Sequence, residues 1–128
     1  MANCSNKIWI FWSSELEVEV IEDNIQYVHL KIASPLCAQK IMLTAVYAAC
    51  KIPARRQLWT GLESMSDTQL PWIVMGDFNT ISRQSEQVNK WAAMEDFNDC
   101  LLNCKLEDAG FLGSTFSWTN ARRSKKVG

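Results

Sequence analysis

The chain has one histidine, His29, in 128 residues. That scarcity removes most chemistry built on imidazole. Ser13, Ser14 and Ser114 have no base in reach, so a nucleophilic serine is not supported. Cysteine is present but unorganised: Cys4, Cys37, Cys50, Cys100 and Cys104 are odd in number and form no CxxC pair. A disulfide framework and a zinc site are both excluded by that pattern, and reduced thiols in an intracellular protein are expected. None of the five can be assigned a base that would make it a nucleophile. Glycine-rich phosphate loops of the GxGxxG or GxxxxGK kind are absent. No sign of charge dominates: 13 Lys and Arg stand against 14 Asp and Glu, a net charge of -1. No overall field therefore draws the chain to nucleic acid or membranes, and any such attraction must be local. No apolar run is long enough to span a bilayer, and the start, MANCSNKIWIFW, lacks the pattern of a signal peptide.

What is present reads as one globular domain, 48% apolar and 21% charged. KIWIFW, residues 7–12, is short, β-branched and aromatic, which predicts a strand. Leu16, Val18 and Val20 alternate with Glu15, Glu17 and Glu19, predicting a strand with one wet face rather than an acidic metal site. EDN at 22–24 suits a hairpin turn, and ASPLCA at 33–38 suits a second turn before QKIMLTAVYAA. Three or four antiparallel strands in succession are expected. A helix over 54–65 follows, with Pro53 tolerated in its first turn and Leu58, Leu62 and Met65 on one face. WIVMGDF, residues 72–78, does not alternate and predicts a strand covered on both faces. A second helix is predicted over 92–105, placing Met94, Phe97, Leu101 and Cys104 at helical spacing. Cys100 and Cys104, one turn apart, read as small core residues. TFSWTN predicts a last short strand, and the end, ARRSKKVG, is basic. His29 falls in a strand and reads as a core or surface histidine rather than a catalytic one. The six tryptophans read mostly as core, with Trp118 the exception.

The informative stretch is PWIVMGDFNT, residues 71–80. An apolar strand that ends in Gly-Asp-x-Asn delivers a carboxylate and an amide to the rim of a sheet. Gly76 has no Cβ, so another backbone or a phosphate can approach closely. Asp77 and Asn79, two apart on an extended chain, point to one side. They have the chemistry to hold a hard cation or orient a water. The alternative is local: the same residue types build Asx turns at strand ends.

The surroundings add a resemblance. A strand ending in Tyr47, a helix with Arg-x-x-Leu-Trp, the GDFN strand, a helix, an L-x-D turn and T-F-x-W-T-N occur in that order. So arranged, the chain resembles the endonuclease/exonuclease/phosphatase superfamily, and most of all the endonuclease domains of LINE-type retroelements. The likeness covers residues 7–128. It implies an α+β fold, a DNase-I-like four-layer sandwich of two mostly antiparallel sheets flanked by helices. It further implies that Asp77 activates the attacking water or steadies charge on the phosphate. Asn79 would orient water or phosphate and touch a metal, and Tyr47 would approach the scissile phosphate. Trp118, Asn120, Arg122 and Arg123 would face nucleic acid. The complete family domain uses Mg2+ or Mn2+ and acts on DNA, which would place it in the nucleus. No membrane partner or small-molecule cofactor is implied.

The departures matter as much. The family's metal-binding glutamate would lie ahead of residue 1, and its terminal Asp-His pair beyond residue 128. The chain is thus expected to be a central portion, 1–128, of the domain, with little or no activity alone. Asp77 with Asn79 is an incomplete metal site, since Mg2+ takes one or two carboxylates together with phosphate oxygens and waters. Open strand edges and half-covered apolar faces are expected with it. Two other readings stay open: a non-catalytic interaction remnant of the same fold, and an unrelated small α/β domain whose GDFN is a turn.

Overall fold

A computed structural model describes residues 1–79 and 90–109, the side chains of residues 90–93 excepted. Trp118, Asn120, Arg122, Arg123 and the strand expected at 115–120 lie outside the described residues. The elements run β1 (Glu17–Asp23), β2 (Tyr27–Ala33), β3 (Ile41–Tyr47), α1 (Ile52–Ser64), β4 (Trp72–Asp77) and α2 (Lys90–Cys104). The strands form one mixed sheet in the order β1-β2-β3-β4. The first two pairings are antiparallel and β3–β4 is parallel, the return through α1 making a βαβ unit. The described chain is therefore α+β with a single open sheet.

Alternation holds at the start of the hairpin, through Leu16 and Val18, but Val20, expected on the covered face, is 43% exposed next to a bulge. Glu17 and Glu19 are exposed while Val18 packs against Ile8, Val28 and Leu30. Lys31 stands opposite Glu19 in the register, which suits a solvated strand face. The turn falls later than the sequence suggested: β1 continues to Asp23, and Asn24 Oδ1 accepts the Gln26 N–H at 3.0 Å. An Asx turn at Asn24 outcompetes one centred on Asp23. A bulge between Val20 and Glu22 rotates Glu22 to the helix side, where Tyr27 Oη donates to its Oε1 at 2.7 Å.

The helices cover one face of the sheet. Leu58, Trp59 and Leu62 of α1 join Tyr27, Val46, Ala48, Cys100 and Cys104 in the larger core. Burying each leucine stabilises the fold by about 2 kcal/mol. Cys100 and Cys104 are core residues as read from the sequence, their Sγ atoms 3.9 Å apart. All five thiols are free, with Cys4, Cys37 and Cys50 exposed. α2 ends in a Schellman motif: Leu106 N–H donates to the Leu101 carbonyl at 2.9 Å and Lys105 N–H to that of Leu102 at 3.1 Å. Lys105 takes the left-handed position, φ 56, that glycine occupies most readily.

The opposite face is covered differently from expectation. Residues 7–12 do not form a ladder strand. Residues 1–10 fold into a small hairpin with a single bridge, Ala2–Trp9, held by Asn3 N–H to Ile8 O and Ile10 N–H to Met1 O, both 2.9 Å. Ile8 and Ile10 turn onto Val28, Leu30, Leu43 and Ala45. Trp9 and Trp12 turn outward, 59% and 43% exposed, against the reading that they are core. β4 also departs from expectation. It is an edge strand with one face on the helices and the other open, leaving Ile73 50% and Met75 55% exposed. A continuous apolar run does not distinguish a strand buried on two faces from an edge strand whose second face lacks a cover. Among the described residues, no helix is long and apolar enough to cross a membrane.

His29 is in the core, fully buried, with Nδ1 2.7 Å from Thr44 Oγ1. Thr44 Oγ1 also accepts the Trp72 indole N–H at 2.8 Å. Among the described residues His29 Nε2 has no hydrogen-bond partner, and it lies 3.9 Å from Glu22 Oε2. Burial pushes the His29 pKa down, partly offset by the Glu22 carboxylate.

Candidate active site

The parallel pairing of β3 with β4 sets Tyr47 beside Asp77 in the register. Directly paired residues of parallel strands share a face, so both side chains stand at the same end of the sheet, on the open side. Both are exposed. Of the residues read from the sequence, Tyr47, Asp77 and Asn79 are thus brought together; the four expected to face nucleic acid lie outside the described residues.

Gly76 makes this approach. Its φ is +139, and a Cβ built on it would sit 2.0 Å from the Val46 carbonyl oxygen. The close neighbour is the β3 backbone. Past Gly76, Ala48 N–H donates to the Asp77 carbonyl at 2.8 Å, carrying the pairing one residue beyond the strands.

Asn79 turns the chain with φ 48, a left-handed conformation that asparagine tolerates. Its N–H donates to Asp77 Oδ1 at 2.9 Å, an Asx turn, and its side-chain amide donates to the Ala48 carbonyl. The amide nitrogen of Asn79 is therefore turned inward, fixing the loop, and its Oδ1 has no hydrogen bond among the described residues. Among the described residues, one carboxylate oxygen of Asp77 has no hydrogen bond. Chemically the rim can offer that carboxylate oxygen as a proton acceptor and the Tyr47 hydroxyl as a donor.

Two residues that the sequence reading left without a role brace the rim, Arg55 at the Asn79 loop and Gln26 at the connection from β3 to α1. Arg55, 2% exposed in the first turn of α1, donates to the Asn79 carbonyl through Nη1 and to that of Cys50 through Nη2 at 3.4 Å. It is the arginine of Arg-x-x-Leu-Trp, so the motif carried the signal. Gln26 is 3% exposed, accepts the Ala49 N–H at 2.8 Å and donates to the Ala54 carbonyl at 2.8 Å. Nothing local in the sequence marks Gln26.

Glu15, Glu17 and Glu19 are exposed and far along the chain from this rim. Among the described residues no three His, Cys, Asp or Glu side chains cluster to hold a metal ion. One free carboxylate oxygen and one amide oxygen are too few donors for Mg2+ or Mn2+, so these residues alone do not fit the ion. No family model matches this chain, and no curated protein or solved structure matches it.

Proposed function

We propose that this chain is the central portion of a divalent-metal-dependent phosphodiesterase domain of the endonuclease/exonuclease/phosphatase kind, of retroelement origin. The finer fold, a DNase-I-like sandwich with a second sheet, is part of the proposal. The complete domain would nick DNA and leave a 3′-hydroxyl for reverse transcription. One observation carries the reading: Asp77 and Tyr47 are register partners at the lip of the sheet. Asp77 would accept the proton of an attacking water, and Tyr47 would donate to a non-bridging phosphate oxygen. Asn79 and Arg55 would hold the loop rather than react. In the complete domain a Mg2+ or Mn2+ ion would neutralise charge developing on the phosphate.

The test is nicking of supercoiled plasmid in Mg2+ or Mn2+. Residues 1–128 alone are expected to give little or none. The polypeptide extended through its flanking reading frame is expected to nick, and Asp77→Ala to abolish this. A folded extended polypeptide that does not nick, or that nicks equally as Asp77→Ala, overturns the proposal. A second reading takes GDFN as a structural turn in an unrelated small α/β domain or a non-catalytic remnant. The Asx bond from Asn79 N–H to Asp77 Oδ1 favours it. Unchanged plasmid in every extended form would select that reading.

A further inference from the structure

Residues 7–11 run extended in the second arm of the N-terminal hairpin, and alternation divides them cleanly. Ile8 and Ile10 are spent on the sheet. Trp9 and Phe11 face out, 59% and 82% exposed, with their rings stacked at 6.5 Å and 19° between planes. Lys7 precedes them at the same two-residue interval, about 7 Å per step on an extended chain. Its ammonium lies 5.8 Å from the centre of the Tyr47 ring. Tyr47 is in turn the register partner of Asp77. A cation and two aromatic faces are thereby strung along one exposed edge, starting at the candidate rim.

The strip is built, not incidental. Asn3, 4% exposed, accepts the N–H groups of both Lys7 and Ile8 at 2.9 Å through Oδ1. Its Nδ2 donates at 3.0 Å to the Asn24 carbonyl in the β1–β2 turn. The Trp9 indole N–H is occupied by the Asn6 carbonyl at 3.2 Å, which fixes the ring beside Phe11 while most of the residue stays exposed. No ion pair neutralises Lys7 among the described residues.

We infer that Lys7, Trp9 and Phe11 form a docking strip for a single-stranded stretch of nucleic acid. A phosphate meets Lys7 beside Tyr47, and unpaired bases stack on the two rings. Stacking platforms interleaved with cations bind single strands because every base has a π-face, whereas a duplex offers only base edges. An apolar protein segment is the poorer occupant, since it would bury Lys7 without a counter-charge. The inference deepens the proposed function by making unpaired nucleotides next to the phosphate the recognised form.

The test uses residues 1–128 and a fluorescein-labelled oligothymidylate, read by anisotropy in EDTA across a salt series. Binding is expected. Trp9→Ala and Phe11→Ala are each expected to weaken it about 5- to 150-fold, by loss of a base stack. Lys7→Gln should reduce the slope of log K against log salt by about 0.7, and Lys7→Arg should restore it. All three side chains are exposed, so the fold survives the substitutions. The inference is overturned if the wild type does not bind or the variants bind like it. Equal binding of a duplex overturns it, as does a self-association that Trp9→Ala abolishes. Because this readout needs no metal or cleavage, it fails separately from the proposed function: nicking without binding at the strip sinks only this inference, and binding without nicking sinks only the proposed function.

Discussion

Replacing Gly76 with alanine is the sharpest perturbation of the lip. The glycine sits at φ +139, where a side chain is strained, at a cost of about 1–3 kcal/mol. The added Cβ would also stand 2.0 Å from the Val46 oxygen and 2.8 Å from the Val46 backbone carbon and nitrogen. Those atoms belong to β3, hydrogen-bonded on both sides, and cannot swing aside as a side-chain tip would. Forcing them apart adds about 1–3 kcal/mol more, as in an overpacked core. Together the loss is about 4 kcal/mol, a large fraction of the stability of a domain this size. With a urea slope of about 2 kcal/mol/M, the midpoint should fall by about 2 M. Circular dichroism against urea measures this directly. Gly61→Ala is the comparison: its Cβ would meet the hydroxyl end of the Tyr27 side chain rather than backbone, and the helix gains about 1 kcal/mol from alanine. It should cost less. A Gly76→Ala midpoint within about 0.3 M of wild type, at unchanged slope, would refute the close approach of β4 to β3.

Three further outcomes are expected. His29 binds fewer protons folded than unfolded, because burial lowers its pKa. Its contribution is therefore complete above about pH 6.5 and is lost as pH falls from there toward the lowered folded value, at no more than about 1.4 kcal/mol per pH unit. Urea midpoints from pH 7.5 to 5, compared with His29→Gln, check this, and an unchanged slope in the variant would contradict it. Cys4, Cys37 and Cys50 should react with Ellman's reagent in the native protein, whereas Cys100 and Cys104, buried with thiol pKa values pushed up, should react only on unfolding. Lys105→Gly, at φ 56 in the α2 cap, should stabilise by about 1 kcal/mol, seen as a raised midpoint.

The readable parts of the fold were those whose pattern is local. Val18 and its glutamates showed a half-wet strand, and Leu58, Leu62, Phe97, Leu101 and Cys104 showed two helices with one apolar face each. The positive φ at Asn79 and the Gly76 approach belong to residue types that announce such geometry. What escaped is what only a partner element decides. Trp9 and Phe11 carry the same hydrophobicity as Ile8 and Ile10, yet only the isoleucines face Val28 and Leu30. Ile73 and Met75 look buried by composition, but nothing among the described residues covers that side of β4. Arg55 and Gln26 act across gaps of more than twenty residues, beyond any periodicity, and the inward turn of the Asn79 amide depends on the carbonyl of Ala48, just past the end of β3.

The most direct measurement is the β3–β4 register by nuclear Overhauser contacts in isotopically labelled protein. The account expects parallel-strand backbone contacts placing Asp77 next to Tyr47 and Gly76 next to Val46, with the Asn79 side-chain amide close to Ala48. A slip of one residue would contradict it, because Asp77 would then turn under the helices and no carboxylate would share the lip with Tyr47.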